Sequence, residues 1–397
     1  MILVLSLIVI PPFLLVLAML LLDSLFRLVF LKVVALGAKE PSLPAVPQEG
    51  NTNIAYLFPA HDEGSVIAES IAGLAMPTYV IADNCQDNTA EAARRVGARV
   101  WERRGDKAGG KAEALRWFLN AAADEVAPYA RLAIFDADSR VDPHFLDRLT
   151  AAPYDQALVV QGFVQPIVSS RSPVARLAAY SEILSQRIDD LARERLGWPV
   201  PLRGTGMVFH ASLLPALLSE LRTKVEDVEM TILLLKQGIH PRFLHHAVVG
   251  DPKPAGIHGV AAQRARWEQG RRQIWRYYWR DLLRLFFSGH LGVTALALSL
   301  VLRPRSLVLM LKVLLAVVFG TMAWSHAPIW SAAAVMLWIA IIIDGFYYLI
   351  GLIFVEERCA YALALLFAPA YLFMWIWSQT WSFVSRSAWL SVRAPRN

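Results

Sequence analysis

The sequence predicts an α/β domain built on a mostly parallel sheet and set between apolar α-helical segments that belong in a membrane. Short apolar runs alternate with amphipathic ones after residue 54, apolar residues crowd both ends of the chain, and basic residues mix with aromatic ones around 255–285. The first pattern is that of strands alternating with covering helices, with ligands bound where strands end. The other two set a soluble middle against a bilayer.

Residues 1–22 are apolar apart from Ser6 and carry no charge before Asp23, close to the run of about 20 residues that crosses hydrocarbon. A span is expected there, kinked at Pro11 and Pro12, where neighbouring helices satisfy the freed backbone groups. Arg27, Lys32 and Lys39 follow the run rather than precede it. That argues against a secretory signal and puts the N-terminus outside and the domain in the cytosol. The expected location is the plasma (inner) membrane, with several passes. Residues 1–40 form this span and its flank, and the stretch 41–53, broken by Pro41, Pro44 and Pro47, reads as a linker. The α/β domain occupies 54–254, with strands expected at 54–58, 79–82, 99–101 and 132–135 and helices at 65–74, 89–96 and 111–123.

Residues 255–305 are expected to lie along the bilayer. Arg264, Arg266, Arg271, Arg272, Arg276 and Arg280 share this stretch with Trp267, Trp275, Tyr277, Tyr278 and Trp279, an interfacial composition. The short apolar run 291–302, ended by Arg303-Pro304-Arg305, reads the same way. The membrane region 306–385 divides into apolar segments 306–324, 329–355 and 360–381, and a basic tail, 386–397, carries Arg386, Arg393 and Arg396. One span before the domain and three after it put that basic tail outside, so one segment reads as re-entrant. Asp344 falls within an apolar segment and reads as snorkelling near a kink at Gly345, the other reading being a place in the bundle interior along an acceptor path.

The net charge of +6 fits a membrane surface better than nucleic acid, because many basic residues stand beside apolar and aromatic ones. Cys85 and Cys359 are far apart in contexts that read as cytosolic, and both read as free thiols rather than a disulfide or a thiolate metal site.

Phe135-Asp136-Ala137-Asp138-Ser139 follows a buried strand and sets two carboxylates two residues apart, so both can point from the sheet edge towards one cation. Hard oxygen ligands with open positions suit Mg2+ or Mn2+ bridging a substrate diphosphate. The same residues also suit a solvated loop. The first strand ends in Pro59-Ala60-His61-Asp62-Glu63 and the second in Asp83, ahead of Asp87-Asn88-Thr89. Ala60, Glu63 and Asp83 are donor-site candidates, since carboxylates accept from a base or ribose and helix N-termini suit phosphate. Turn and N-cap chemistry is the plain alternative.

Gly109-Gly110-Lys111 opens a helix and can hold a diphosphate through backbone and ammonium, or merely turn the chain; it lacks Walker spacing. Val225-Glu226-Asp227 puts acids in the first turn of a helix. There they complement the helix dipole, or one of them takes the proton of an acceptor hydroxyl. Gln263, Arg266 and Trp267 share one helical face, offering an amide, a guanidinium for phosphate and an indole platform for a sugar, or else an interfacial anchor.

In this order and spacing, flanked by spans, the motifs resemble the processive family 2 glycosyltransferases, the group of cellulose, chitin, hyaluronan and poly-N-acetylglucosamine synthases, over residues 54–280. The resemblance implies a GT-A-like nucleotide-sugar-binding fold and inverting transfer from a UDP-sugar, UDP-glucose or UDP-N-acetylglucosamine, with Mg2+ or Mn2+. It implies that Asp83 contacts the uracil end, that Lys111 and Asp136 meet the diphosphate, that Asp136 and Asp138 hold the metal, and that Asp227 is the base, as the last residue of a T-E-D motif written here Val225-Glu226-Asp227. Arg266 then serves the donor, while Gln263 and Trp267 of Q-x-x-R-W and the loop Gly204-Thr205-Gly206 serve the acceptor. The implied partners are the UDP-sugar, a glycan or lipid acceptor and membrane lipids. Two products stay open, an exopolysaccharide or cell-surface glycan and a glycolipid bearing one added sugar. A non-catalytic nucleotide-sugar-binding membrane protein is the reading from another class.

Overall fold

The computed structural model describes residues 2–37, 53–105, 109–150, 154, 157–168, 172–253, 257–325, 328–373 and 376–377, without the side chains of 2–12, 257–262 and 325. Most of the expected linker, the end of the last apolar segment and the basic tail lie outside the described residues.

The described strands are β1 (Ile54–Ala60), β2 (Thr78–Asp83), β3 (Arg99–Arg103), β4 (Arg131–Ile134), β5 (Arg140–Val141), β6 (Val159–Ile167), β7 (Met207–His210) and β8 (Arg242–Pro252), joined in an eight-stranded sheet of order β3-β2-β1-β4-β7-β6-β8-β5. The helices are α1 (Ile2–Ala35), α2 (Ile67–Ile71), α3 (Thr89–Arg95), α4 (Lys111–Ala121), α5 (Ala123–Val126), α6 (Phe145–Leu149), α7 (Pro173–Leu184), α8 (Leu191–Arg195), α9 (Leu214–Glu220), α10 (Glu226–Lys236), α11 (Ile257–Phe286), α12 (Leu291–Val301), α13 (Arg305–Met322), α14 (Pro328–Ile350) and α15 (Arg358–Leu365). A π-helix, Ser185–Asp190, joins α7 to α8. The helix expected at 65–74 is shortened to α2, and the one at 111–123 breaks at Ala122 between α4 and α5.

Every residue of β1 is buried, which explains its unbroken apolar run: a strand covered on both faces has no solvent side. Leu57, Ile81 and Ile134 pack against Phe118 of α4, while Phe58, Val80 and Phe135 pack with Phe145 of α6 on the other face. Each such side chain stabilises the fold by roughly 1.5–3 kcal/mol on burial.

The register then assembles one edge. β2 and β4 run parallel to β1, so their C-terminal ends emerge together, Ala60 opposite Ala82. β7 runs antiparallel to β4 with Met207 opposite Ile134, which brings the loop before Met207 beside the segment after Ile134. Fragments distant in sequence thereby meet at the rim where open α/β sheets bind ligands.

Three helical stretches are long and apolar enough to cross a membrane: Phe13–Ala35, Arg305–Met322 and Pro328–Phe354. This corrects the first span, which does not stop at Leu22. α1 runs unbroken through Pro11 and Pro12 and continues past Asp23 and Arg27 to Ala35. Those charges are tolerated because they are paired. Arg27 meets Asp23 at 2.8 Å and Asp344 at 2.9 Å, and Lys312 meets Asp23 at 3.1 Å and Asp344 at 2.9 Å. Asp344 is thus buried among helices, also accepting from Ser24 Oγ at 3.0 Å, and does not snorkel.

The run at 291–302 is not interfacial either. α12 buries Val293, Leu296, Ala297 and Leu300 in the core that includes Leu57 and Phe118, because the domain itself covers its apolar surface. In the last apolar segment α15 ends at Leu365 and a turn follows at 366–367. The described part of this segment docks on the domain: Glu357 pairs with Arg176 of α7 at 2.8 Å, and Arg264 Nη2 donates to Tyr371 Oη at 2.5 Å. Residues 357–371 thus contact α7 and α11 of the domain.

Candidate active site

Asp136, two residues past β4, accepts a hydrogen bond from Lys111 Nζ at 2.6 Å, and the same ammonium donates to the carbonyl of Gly204 at 2.5 Å. Lys111 opens α4, so the helix N-terminus and its first side chain both face the strand end. Gly204 and Gly206 adopt positive φ of 83° and 66°, which lets their loop double back tightly against this edge. The hydroxyl of Thr205 binds that loop to the D-x-D segment. It accepts from the Asp136 N–H at 3.1 Å and lies 2.7 Å from Ser139 Oγ.

Asp227 comes from the first turn of α10, and a Cβ added to Gly204 would lie 3.9 Å from its Oδ2. α10 is fastened to the start of the same loop: the Leu202 N–H donates to Thr231 Oγ1 at 3.0 Å, and that hydroxyl donates to the Asp227 carbonyl at 2.8 Å. α11 closes the site. Lys224 N–H donates to Gln273 Oε1 at 2.9 Å, and Tyr278 Oη donates to Glu229 at 2.6 Å. Trp267 packs on the core cluster that holds Val225 and Met230, and the charge of Arg266 acts on Asp136. Gln263 sits one turn earlier, half-buried.

The electrostatics follow from this crowding. Burial pushes the Asp136 carboxyl up, but the Lys111 ammonium, helped by Arg266 and Lys253, outweighs it and holds the group below the ordinary carboxylate range. Burial lifts Glu226 to about 7 against the pull of Lys111, with repulsion from Asp227 and Asp136 added. Burial likewise raises Asp227, opposed by the Val228 N–H and by the charges of Lys111 and Arg303. A carboxylate made more basic in this way is better suited to take a proton. Asp136, kept ionised, and Asp138, half-buried two residues on, form a hard-oxygen pair that fits a divalent cation.

Asp83, fully buried, ends β2. Its carboxylate accepts from Arg103 Nη1 at 2.6 Å, Asn84 Nδ2 at 3.1 Å and the Gly109 N–H at 3.1 Å. The Gly109–Lys111 turn therefore links Asp83 to Asp136. Ala60 ends β1, its carbonyl 3.5 Å from Cys85 Sγ, and the Glu63 N–H donates to Thr89 Oγ1 at 2.8 Å. Among the described residues Asp62, Cys85 and Asp87 bring ligand atoms within 4.8 Å of one another. Burial raises the Cys85 thiol, and Asp87 accepts from the N–H groups of Gly64 and Thr89, so this knot serves to stitch two loops.

Sequence reasoning overlooked several residues that build the site. Gln161, fully buried in β6, accepts from the Arg203 N–H at 2.9 Å and donates to the Thr205 carbonyl at 2.9 Å, holding the loop from both ends. A glutamine inside the apolar run Val159–Ile167 was the available signal, since a buried amide must find partners. Lys253, which pairs with Asp251 and Glu182 at 2.6 Å each, and Asp190 of the π-helix, which receives Arg203 Nε at 3.0 Å, carry no local pattern.

Sheet order and strand-end chemistry together define a GT-A-like α/β domain. The chain belongs to the glycosyltransferase-like family 2, whose model matches residues 53–270. No curated protein matches the sequence. Among solved structures it is similar to a mannosyltransferase from Pyrobaculum calidifontis in complex with GDP-Man and Mn2+, with 14% identity, TM-score 0.46 and coverage of 84% of this chain and 99% of that one. It is also similar to glucosyl-3-phosphoglycerate synthase from Mycobacterium tuberculosis in complex with Mn2+, UDP-glucose and phosphoglyceric acid, with 20% identity, TM-score 0.35 and coverage of 50% of this chain and 71% of that one.

Proposed function

We propose that this protein is a membrane-embedded inverting glycosyltransferase that uses a UDP-sugar, UDP-glucose or UDP-N-acetylglucosamine, and Mg2+ or Mn2+, to build an exopolysaccharide or other cell-surface glycan. The observation that carries the reading is the Lys111 ammonium joined to both Asp136 and the Gly204 carbonyl, with Asp227 against the same glycine. A group that meets a diphosphate, an acidic pair and a base are thereby drawn around one loop.

In this reading Asp83 and the Ala60–Glu63 turn hold the nucleoside, and Lys111 and Arg266 hold the diphosphate. Asp136 and Asp138 hold the metal, which when bound offsets the negative charge of the leaving nucleotide. Asp227 takes the proton of the acceptor hydroxyl while its oxygen bonds to the anomeric carbon and the bond from that carbon to the diphosphate oxygen breaks. A single displacement of this kind inverts the configuration and releases UDP. The loop 204–206, Gln263 and Trp267 position the acceptor. Membrane helices beside the site also suit transfer of one sugar to a lipid.

A panel of UDP-glucose, UDP-N-acetylglucosamine and GDP-mannose, supplied with Mn2+ to the purified full-length protein in nanodiscs, tests the reading. The expected result is UDP release from a UDP-sugar, lost on chelation, with a ladder of products. A single glycolipid spot replaces the polymer reading by the lipid one. Release from GDP-mannose alone overturns the donor, and no release from any sugar overturns the enzyme.

A further inference from the structure

A cleft of about 300 Å³ opens between α11 and the start of α13. Arg271, Arg272 and Arg303 line it together with the apolar Leu302, Leu307 and Leu311. Other guanidinium groups in and around it are matched: Arg271 pairs with Glu268, which also lines the cleft, at 2.9 Å, Arg203 with Asp190, and Arg305 with Asp189. Arg303 is different. Its Nε donates to the Ser299 carbonyl at 3.1 Å, and among the described residues no carboxylate stands in ion-pair contact with it. Burial, followed by repulsion from Arg203 and Arg305 and then Arg271, with Asp190 in part opposing, pulls the Arg303 guanidinium down to about 9. It stays protonated at neutral pH, so an anion seated in the cleft, rather than loss of a proton, would offset this repulsion.

The apolar part of the lining says what carries that anion. Leu307, Leu311, Leu314 and Val318 fall on one stripe of α13, and the last three are exposed apolar side chains. A free phosphate has no use for such a stripe. We infer that this cleft seats the phosphate-bearing head of a membrane lipid, with the phosphate on Arg303 and Arg271 and one acyl chain along α13. The inference rests on reading α13 as a span.

The test uses the full-length protein in phosphatidylcholine nanodiscs doped with a phosphatidylglycerol that carries a photoreactive acyl chain, with labelled peptides mapped by mass spectrometry. Labelling is expected on α13, competed by unlabelled phosphatidylglycerol but by neither phosphatidylcholine nor inorganic phosphate. Arg303→Gln should lower it at least about tenfold, as loss of a charge-assisted contact does. Arg303→Lys should keep much of it, and Leu311→Trp, which fills the cleft while leaving the charges, should abolish it. Equal labelling by a photoreactive phosphatidylcholine, or insensitivity to both Arg303→Gln and Leu311→Trp, overturns the site but leaves the span. Competition by inorganic phosphate turns it into a free-anion site, and no labelling of α13 by any lipid removes the span and the site together.

Discussion

At the scale of single residues, Glu226 reports the crowding around Lys111 most directly. Its carboxyl is lifted from an ordinary 4.5 to about 7, so the folded chain holds this proton more tightly than the unfolded chain does. Its contribution to stability is fully present below the unfolded value and is lost as pH rises through the folded one. Glu226→Gln removes that loss. The thermal midpoint of the variant relative to the parent should climb between pH 4.5 and about 7 and level off above it, as followed by unfolding in detergent at several pH values. A difference that stays constant with pH contradicts the placement of Glu226. The acids and the lysine were legible in the sequence because each sits where a strand ends or a helix begins, positions that local pattern exposes. Thr205 was legible as a loop residue, but not its grip on the Asp136 N–H, since that bond joins segments 69 residues apart. Asp190 was invisible for another reason: its partner Arg203 is only 13 residues on, but no periodic pattern marks a pair that joins a π-helix to a loop.

Among elements, the contact that matters most is α11 against the start of α10. A Cβ at Gly270 would come within 2.4 Å of Val225 Cγ1, so the two helices meet there only because residue 270 has no side chain. Gly270→Ala gains roughly 1 kcal/mol of helix propensity but overpacks by roughly 1–3 kcal/mol, so the variant should be less stable and should turn over donor more slowly as α11 shifts away from the start of α10. Adding Val225→Ala to the same chain should bring the denaturation midpoint back to the parent's or above. If the single substitution stabilises the protein with full activity, the two helices do not meet at this glycine. The strands at 54, 79 and 132 were legible because burial on both faces leaves an unmistakable apolar run, while the edge strand at 99 showed only the short apolar pair Val100-Trp101 between charged residues. α1 and α12 were misjudged because their surroundings decide them: one carries charges that distant helices neutralise, the other an apolar surface that the domain covers.

For the whole molecule, α1, α13 and α14 are locked together by Asp23, Arg27, Lys312 and Asp344, two acids and two bases that balance. Removing one partner strands a buried charge, so Asp344→Asn should cost about 3–5 kcal/mol, while Lys312→Met with Asp344→Leu leaves the Asp23–Arg27 pair intact and should recover most of it. Survival of folded protein after heating, read by size exclusion, checks this; a double variant no better than the single one contradicts it. The chain's sidedness was the least legible property, because whether the segment after 358 crosses or docks depends on contacts with α7 and α11 that hydropathy does not encode. The central claim is that Asp227 acts on the acceptor and the D-x-D pair on the donor. It is tested most directly by measuring donor affinity and turnover side by side in the parent, Asp138→Asn and Asp227→Asn, with the nucleotide sugar that supports release. Asp227→Asn should bind donor like the parent while turnover falls roughly 10²–10⁴-fold, and Asp138→Asn should lose Mn2+-dependent donor binding. Turnover that survives Asp227→Asn, with donor affinity unchanged in both variants, contradicts the account.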